Sequence, residues 1–176
     1  MARCGRAVVA FLDNGAELRA TLELLPKRSA YLCYTDGSAK HGPGAPGGWG
    51  YCIVTPAGPR LEGHGRAGGT LAKVMEYQAV AEALAVLPEQ AEVTVFSDNQ
   101  SLVKNLDEQL GTWSARDFAK VDPLVVESAR RIDASIRDLG LRVTWQWIRG
   151  HNGNAGNERA DALAAQGARE AKAELR

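Results

Sequence analysis

The sequence is poor in cysteine: Cys4, Cys33 and Cys52 are an odd number with no metal-ligand spacing, which excludes a disulfide framework and a zinc site. It has no apolar run approaching the ~18 residues that span a bilayer, so a membrane protein is excluded. The first residues, Met1 to Arg6, lead only into the short run Ala7 to Leu12, without the apolar stretch and small-residue cleavage site of a signal peptide. The expected location is the cytoplasm. There is no internal repeat, no low-complexity tract and no excess of charge, with 21 basic residues against 21 acidic ones. That balance argues against gripping nucleic acid by bulk positive charge. One exception stays open, because carboxylates gathered around divalent cations are acidic in sequence and not in the working complex.

What is present is a domain of ordinary size. The 176 residues are enough for one proper core, and a composition with 45% apolar and 24% charged residues is that of a soluble globular chain. Val8 to Leu24 reads as a short hairpin around Asp13-Asn14-Gly15, closed by Pro26, so that residues 1–29 form an extension to a main domain over 30–176. Such a hairpin would extend the core, cover a sheet edge or contact a partner. Strands are expected at Tyr31 to Thr35, Trp49 to Val54, Arg60 to Gly68, Glu92 to Ser97 and Leu141 to Ile148. Met75, Ala79, Ala83 and Val86 recur at helical spacing within Val74 to Leu87. Further helices are expected over Gln100 to Leu110, over Pro123 to Leu139 with Pro123 at its first position, and from Ala155 onward. Three strands in succession, then helices alternating with strands, define an α/β fold with a five-stranded mixed sheet.

Four carboxylates fall at the mouth of such a sheet. Asp36 and Asp98 end the first and fourth strands, Glu76 lies in the first turn of the first long helix, and Asp161 is on the last helix. Taken singly, each has a plain structural role: a turn or cap for the aspartates after strands, a partner of the helix dipole for Glu76, a solvated helix residue for Asp161. Together they could not be buried unpaired, and a cluster of this kind suits hard cations such as Mg2+. His151 sits in a glycine-flanked loop ten positions before Asp161. His41 and His64 lie in turn-rich segments without comparable context.

Four blocks occur in order: Thr35-Asp36-Gly37-Ser38 followed by Pro46-Gly47-Gly48-Trp49-Gly50; Met75-Glu76-Tyr77-Gln78-Ala79; Ser97-Asp98-Asn99-Gln100; and Gly150-His151-Asn152-Gly153 through Asn157-Glu158-Arg159-Ala160-Asp161. In this ordered set, over roughly Tyr31 to Ala168, the chain resembles type 1 ribonuclease H. The resemblance implies a five-stranded mixed sheet with helices on both faces. It implies hydrolysis of the RNA strand of RNA–DNA hybrids, leaving 5′-phosphate and 3′-hydroxyl ends. Asp36, Glu76, Asp98 and Asp161 match the metal-binding carboxylates and His151 the mobile-loop histidine. Two Mg2+ ions, with Mn2+ as a substitute, would activate water and stabilise the leaving oxygen. Gln100 matches a minor-groove glutamine that senses RNA 2′-hydroxyls, the Gly37 backbone and Ser38 lie beside Asp36 toward the RNA strand, and Trp113 would face the DNA strand. The implied partner is the hybrid alone, with no membrane, no obligate protein partner and a monomeric enzyme.

The chain departs from the family pattern in its substrate-binding parts. His41 to Pro46 is one residue longer than the common loop and lacks its asparagine. Ala72-Lys73-Val74 stands where many members carry paired asparagines, and Thr70 lies near the position of a phosphate-pocket threonine. Between Ser101 and Pro123, Lys104, Arg116 and Lys120 are offset by Asp107, Glu108, Asp117 and Asp122, so the basic protrusion of many bacterial members is absent. Intact chemistry with a weakened grip predicts low affinity and a salt-sensitive rate. The alternatives are a non-catalytic hybrid-binding or scaffold domain, or another nuclease of the superfamily. Ser38, where proofreading exonucleases place a glutamate, counts against the exonuclease form.

Overall fold

The computed structural model describes residues 5–7, 30–40 and 44–174. Six strands form one sheet, in the order β1-β4-β3-β2-β5-β6. They are β1 (Gly5–Ala7), β2 (Ala30–Ala39), β3 (Gly47–Val54), β4 (Arg60–Ala67), β5 (Glu92–Ser97) and β6 (Arg142–Trp147). The helices are α1 (Ala72–Leu84), α2 (Gln100–Ala115), α3 (Val126–Asp138) and α4 (Ala155–Glu174). The expected five strands form an antiparallel meander (β2–β4) continued by the parallel pairs β2–β5 and β5–β6. To these the structure adds the short β1, antiparallel to the outer edge of β4. The hairpin expected over Val8 to Leu24 lies outside the described residues, as do His41 and Cys4.

β2 runs past the point where the sequence stops it. Asp36-Gly37 reads as a turn, yet Asp36 pairs with Gly50 and the ladder continues to Ala39 opposite Gly47. The hairpin partner holds these residues extended, so local turn propensity is overridden. On its other side β2 loses β5 after Tyr34↔Phe96. Asp36 therefore lies inside a strand but beyond the end of its parallel neighbour.

The two faces of the sheet are covered by different means. Tyr31, Cys33, Trp49, Tyr51 and Ile53 join one core with α1. α1 is wedged between the sheet and α3, and Met75, Glu76, Tyr77, Ala79, Val80, Ala81, Ala83 and Leu84 are all buried. The one-sided pattern read from the sequence is thus part of a helix buried nearly all round. On the opposite face α4 packs on β3, where small residues replace interdigitating side chains. A Cβ at Gly48 would stand 2.3 Å from the Ala164 carbonyl oxygen, and one at Gly50 would stand 2.5 Å from that of Ala160. Backbone contact this close seats α4 and fixes the height of Asp161 on it. Cys33 pairs with Ile53 and Cys52 with Tyr34, which puts these buried thiols on opposite faces of the sheet.

Pro123 is not the first residue of α3. It lies in the preceding turn, whose Asp122 carbonyl accepts the Val125 and Val126 N–H groups. Asn99 caps α2 by accepting the Leu102 N–H at 3.0 Å, and Asn154 Oδ1 accepts the N–H groups of Gly156 and Asn157 at the start of α4. Among the described residues no helix is long and apolar enough to cross a membrane.

Candidate active site

The parallel register of β2 and β5 builds the site. Tyr34 pairs with Phe96, their rings stacked with centroids 4.8 Å apart. Two residues further along each strand direction stand Asp36 and Asp98, brought side by side at the carboxyl end of the sheet. Glu76 reaches them from α1. It is the fifth residue of that helix, and α1 has no acid in its first turn, so the dipole role fails: Glu76 is buried by the sheet. Carboxylate oxygens of Asp36, Glu76 and Asp98 all lie within 4.8 Å of one another.

Gly37 makes this convergence possible. A Cβ on it would stand 2.2 Å from the Glu76 backbone nitrogen, so only glycine lets α1 approach β2 here. Its N–H donates to Asp36 Oδ1 at 2.8 Å. The Gly37 backbone, expected to face substrate, is thus occupied in part by holding helix and carboxylate together. Ser38 follows it, half-buried and paired with Gly48.

The carboxylates are held under electrostatic stress. Burial, then the charges of Asp98 and Asp161, push Asp36 up to about 7, against the pull of the Gly37 N–H. Glu76 is raised well above the ordinary carboxylate range by burial first and then by Asp36 and Asp98, with the Gly37 N–H and Ser97 hydroxyl opposing. Its Oε2 is buried without a hydrogen-bond partner among the described residues. Asp161 is outside the tight triad but adds to the stress on Asp36 both as a charge and as a hydrogen-bond partner. An oxygen-only donor set with an orphaned buried oxygen and mutual repulsion fits a hard divalent cation, which would relieve all three conditions.

The remaining expected residues are more dispersed. His151 is exposed at the tip of the β6–α4 loop with φ of 52°, and it makes no hydrogen bond or ion pair among the described residues. Gln100 is exposed at the start of α2. Trp113 is half-buried on the same helix and lines a cavity of about 380 Å3 together with Lys73, Asn99 and Lys120. Thr70 is turned inward: its methyl packs on Gly47 and its N–H donates to the Ala45 carbonyl.

Two contacts of Asp98 escape a reading of the sequence. Trp147 Nε1 donates to the Asp98 carbonyl at 3.0 Å, and the Gly150 backbone lies against the Asp98 carboxylate. Trp147 is 46% exposed although apolar, and an aromatic residue at the end of an edge strand was the available signal.

The arrangement is the acidic mouth of an α/β nuclease, and comparison with known proteins gives the same class. A model of the family RNase H matches residues 28–169. The chain is 42% identical over 147 residues to the ribonuclease H of Polaromonas naphthalenivorans, covering 82% of this chain and 90% of the relative. It is 39% identical over 139 residues to that of Cupriavidus pinatubonensis, covering 77% and 93%. Among solved structures, a type 1 RNase H with the type 2 active-site motif superposes with a TM-score of 0.70 at 23% identity, covering 84% of this chain and 75% of that one. An RNase H1 solved in complex with RNA/DNA hybrid gives 0.59 at 26% identity, covering 81% and 99%.

The chain belongs to the RNase H family. It is an enzyme, a nucleic-acid-binding endonuclease of the hydrolase class, and its family depends on divalent metal.

Proposed function

We propose that the protein cuts the RNA strand of RNA–DNA hybrids at the Asp36–Glu76–Asp98–Asp161 cluster, leaving 5′-phosphate and 3′-hydroxyl ends. The observation that carries this is the buried, unpartnered Glu76 oxygen within 4.8 Å of two further carboxylates, a cost to the fold that a bound cation repays. Two Mg2+ ions, or Mn2+ in their place, supply an activated water and charge neutralisation at the scissile phosphate and leaving oxygen when bound.

The chain's own groups orient and transfer. The Asp36 carboxylate is held by the Gly37 N–H, while at Asp98 Trp147 fixes the backbone carbonyl and the Gly150 backbone lies close against the carboxylate and limits its swing, so both are restrained before substrate arrives. His151, exposed on its loop, exchanges a proton with solvent or the departing product. Gln100, at the open start of α2, reads the 2′-hydroxyls in the wide minor groove, with the Gly37–Ser38 backbone toward the RNA strand. Trp113 offers its ring to the DNA strand. The RNA/DNA hybrid bound by the related RNase H1 supports the substrate assignment.

The test is cleavage of labelled RNA–DNA hybrid with Mg2+ beside RNA duplex, DNA duplex and single-stranded RNA, with Asp98→Asn in parallel. Hybrid-only cutting, abolished by chelator and by the variant, is expected. No cutting at low salt with Mg2+ or Mn2+ would overturn the assignment in favour of a binding module.

A further inference from the structure

The cavity lined by Trp113 and Asn99 carries a feature that hybrid cleavage does not require. It is lined by Lys73 from α1, by Asn99, Ser101 and Trp113 from the capped start and the far end of α2, and by Lys120 and Asp122 from the α2–α3 connection. Two lysines, polar side chains and an aromatic ring in one groove, with Asn99 of its lining directly following Asp98 in the chain, suit a nucleic-acid backbone. One of the two lysines is already occupied. Lys73 Nζ is ion-paired with Asp122 Oδ2 across the groove, joining α1 to the α2–α3 connection.

Asp122 is built into its position. Its Oδ1 accepts the Leu124 N–H at 2.9 Å and its backbone carbonyl accepts Val125 and Val126. The turn that starts α3 therefore fixes the carboxylate and leaves Oδ2 directed at Lys73. A carboxylate and a phosphate diester present the same thing to an ammonium: anionic oxygen at hydrogen-bond distance. The two compete for the same charge.

We propose that Asp122 is an internal counter-ion of Lys73 that a backbone phosphate of the substrate must displace, so that the chain sets its own grip on the polymer by self-neutralising its groove. Lys120 stays available to the substrate, while Lys73 contributes only after the exchange. The proposal rests on the nucleic-acid substrate given above and deepens it by naming what regulates affinity at that site. It also gives a physical reason for the low affinity expected of a neutral chain lacking a basic protrusion.

The experiment measures binding of the full chain to an RNA–DNA hybrid by fluorescence anisotropy in chelator over a range of salt, beside its cleavage with Mg2+. Asp122→Asn keeps the oxygen that accepts the Leu124 N–H and removes the charge. It is expected to tighten binding about two- to fivefold at low salt and to steepen the slope of log affinity against log salt by about one phosphate contact. Lys73→Gln leaves the turn untouched. It should weaken the wild-type protein by less than about twofold, yet cancel the whole gain in the Asp122→Asn background. Unchanged or weaker binding by Asp122→Asn at an unchanged melting temperature would overturn the counter-ion, and so would a loss of fivefold or more from Lys73→Gln alone. Wild-type protein that neither binds nor cuts hybrid would overturn the substrate assignment and the counter-ion together. Wild-type cutting with a silent Asp122→Asn overturns the counter-ion only.

Discussion

Gly150 is pressed against the carboxylate of Asp98: a Cβ at position 150 would stand 2.5 Å from Asp98 Oδ2. The β6–α4 loop, which carries His151, is thereby seated on the end of β5. The contact is with the end of a short side chain, so a methyl group there would swing the carboxylate and leave the core alone. Gly150→Ala is expected to lower hybrid cleavage by roughly tenfold to a hundredfold, because sub-ångström aim of a ligand group governs the rate. Its melting temperature should stay within about 2 °C of wild type. Wild-type turnover, measured at saturating Mg2+, would show that the contact is incidental.

The stressed carboxylates give the metal-free protein an inverted pH response. Asp36 is raised to about 7 and Glu76 is also raised, both above their ordinary values, so between pH 4 and 7 the folded chain holds more protons than the unfolded one. Stability then falls as pH rises through that window. The depressed groups Asp117, Asp122, Glu170 and Glu174 act in the opposite sense, but only below their ordinary carboxylate values. In chelator, thermal unfolding should therefore occur about 3 °C or more lower at pH 8 than at pH 6, and Mg2+ should remove most of that difference. A midpoint that rises from pH 6 to pH 8 in chelator would contradict the stress described at the cluster.

His151 is exposed and makes no hydrogen bond or ion pair among the described residues, so its removal costs the fold little. His151→Gln is expected to lower kcat on the order of tenfold to a hundredfold with KM for hybrid nearly constant. A variant with wild-type kcat, measured at saturating hybrid and Mg2+, would remove His151 from the reaction.

Backbone contact between α4 and β3 ties stability to the position of Asp161. Gly48→Ala would put a methyl group 2.3 Å from the Ala164 carbonyl oxygen, which no rotamer change can relieve. Lifting α4 by the required amount should destabilise the protein by about 1–3 kcal/mol in urea denaturation. Cleavage should fall as well, since Asp161 rises with the helix. Full stability in the variant would mean that α4 is less closely seated than described.

The order of elements, the end of β5 at Ser97 and the acids Asp36, Glu76 and Asp98 that the structure brings together were legible in the sequence, because each leaves a local signature. Short apolar runs bounded by turn formers mark the strands, apolar residues recurring at three and four mark the first long helix, and acids next to strand ends are visible as such. What the sequence misread were positions where a neighbour overrules a local preference. Asp36-Gly37 is a turn by itself and a strand once β3 pairs with it; Glu76 is a first-turn acid by spacing and a buried one once α1 is wedged under α3. Pro123 is a helix start by propensity and a turn residue once Asp122 accepts the first N–H groups of α3.

The sequence by itself determined which donor groups the chain can offer, since carboxylates in ordered blocks present hard oxygen atoms wherever they meet. Only the tertiary structure decided where they meet, how hard they repel one another and which cation of the groove is already neutralised. The parallel register of β2 and β5, the missing side chain at Gly37 and the pairing of Lys73 with Asp122 are relations between residues far apart in the chain, and such relations have no local period or propensity to announce them.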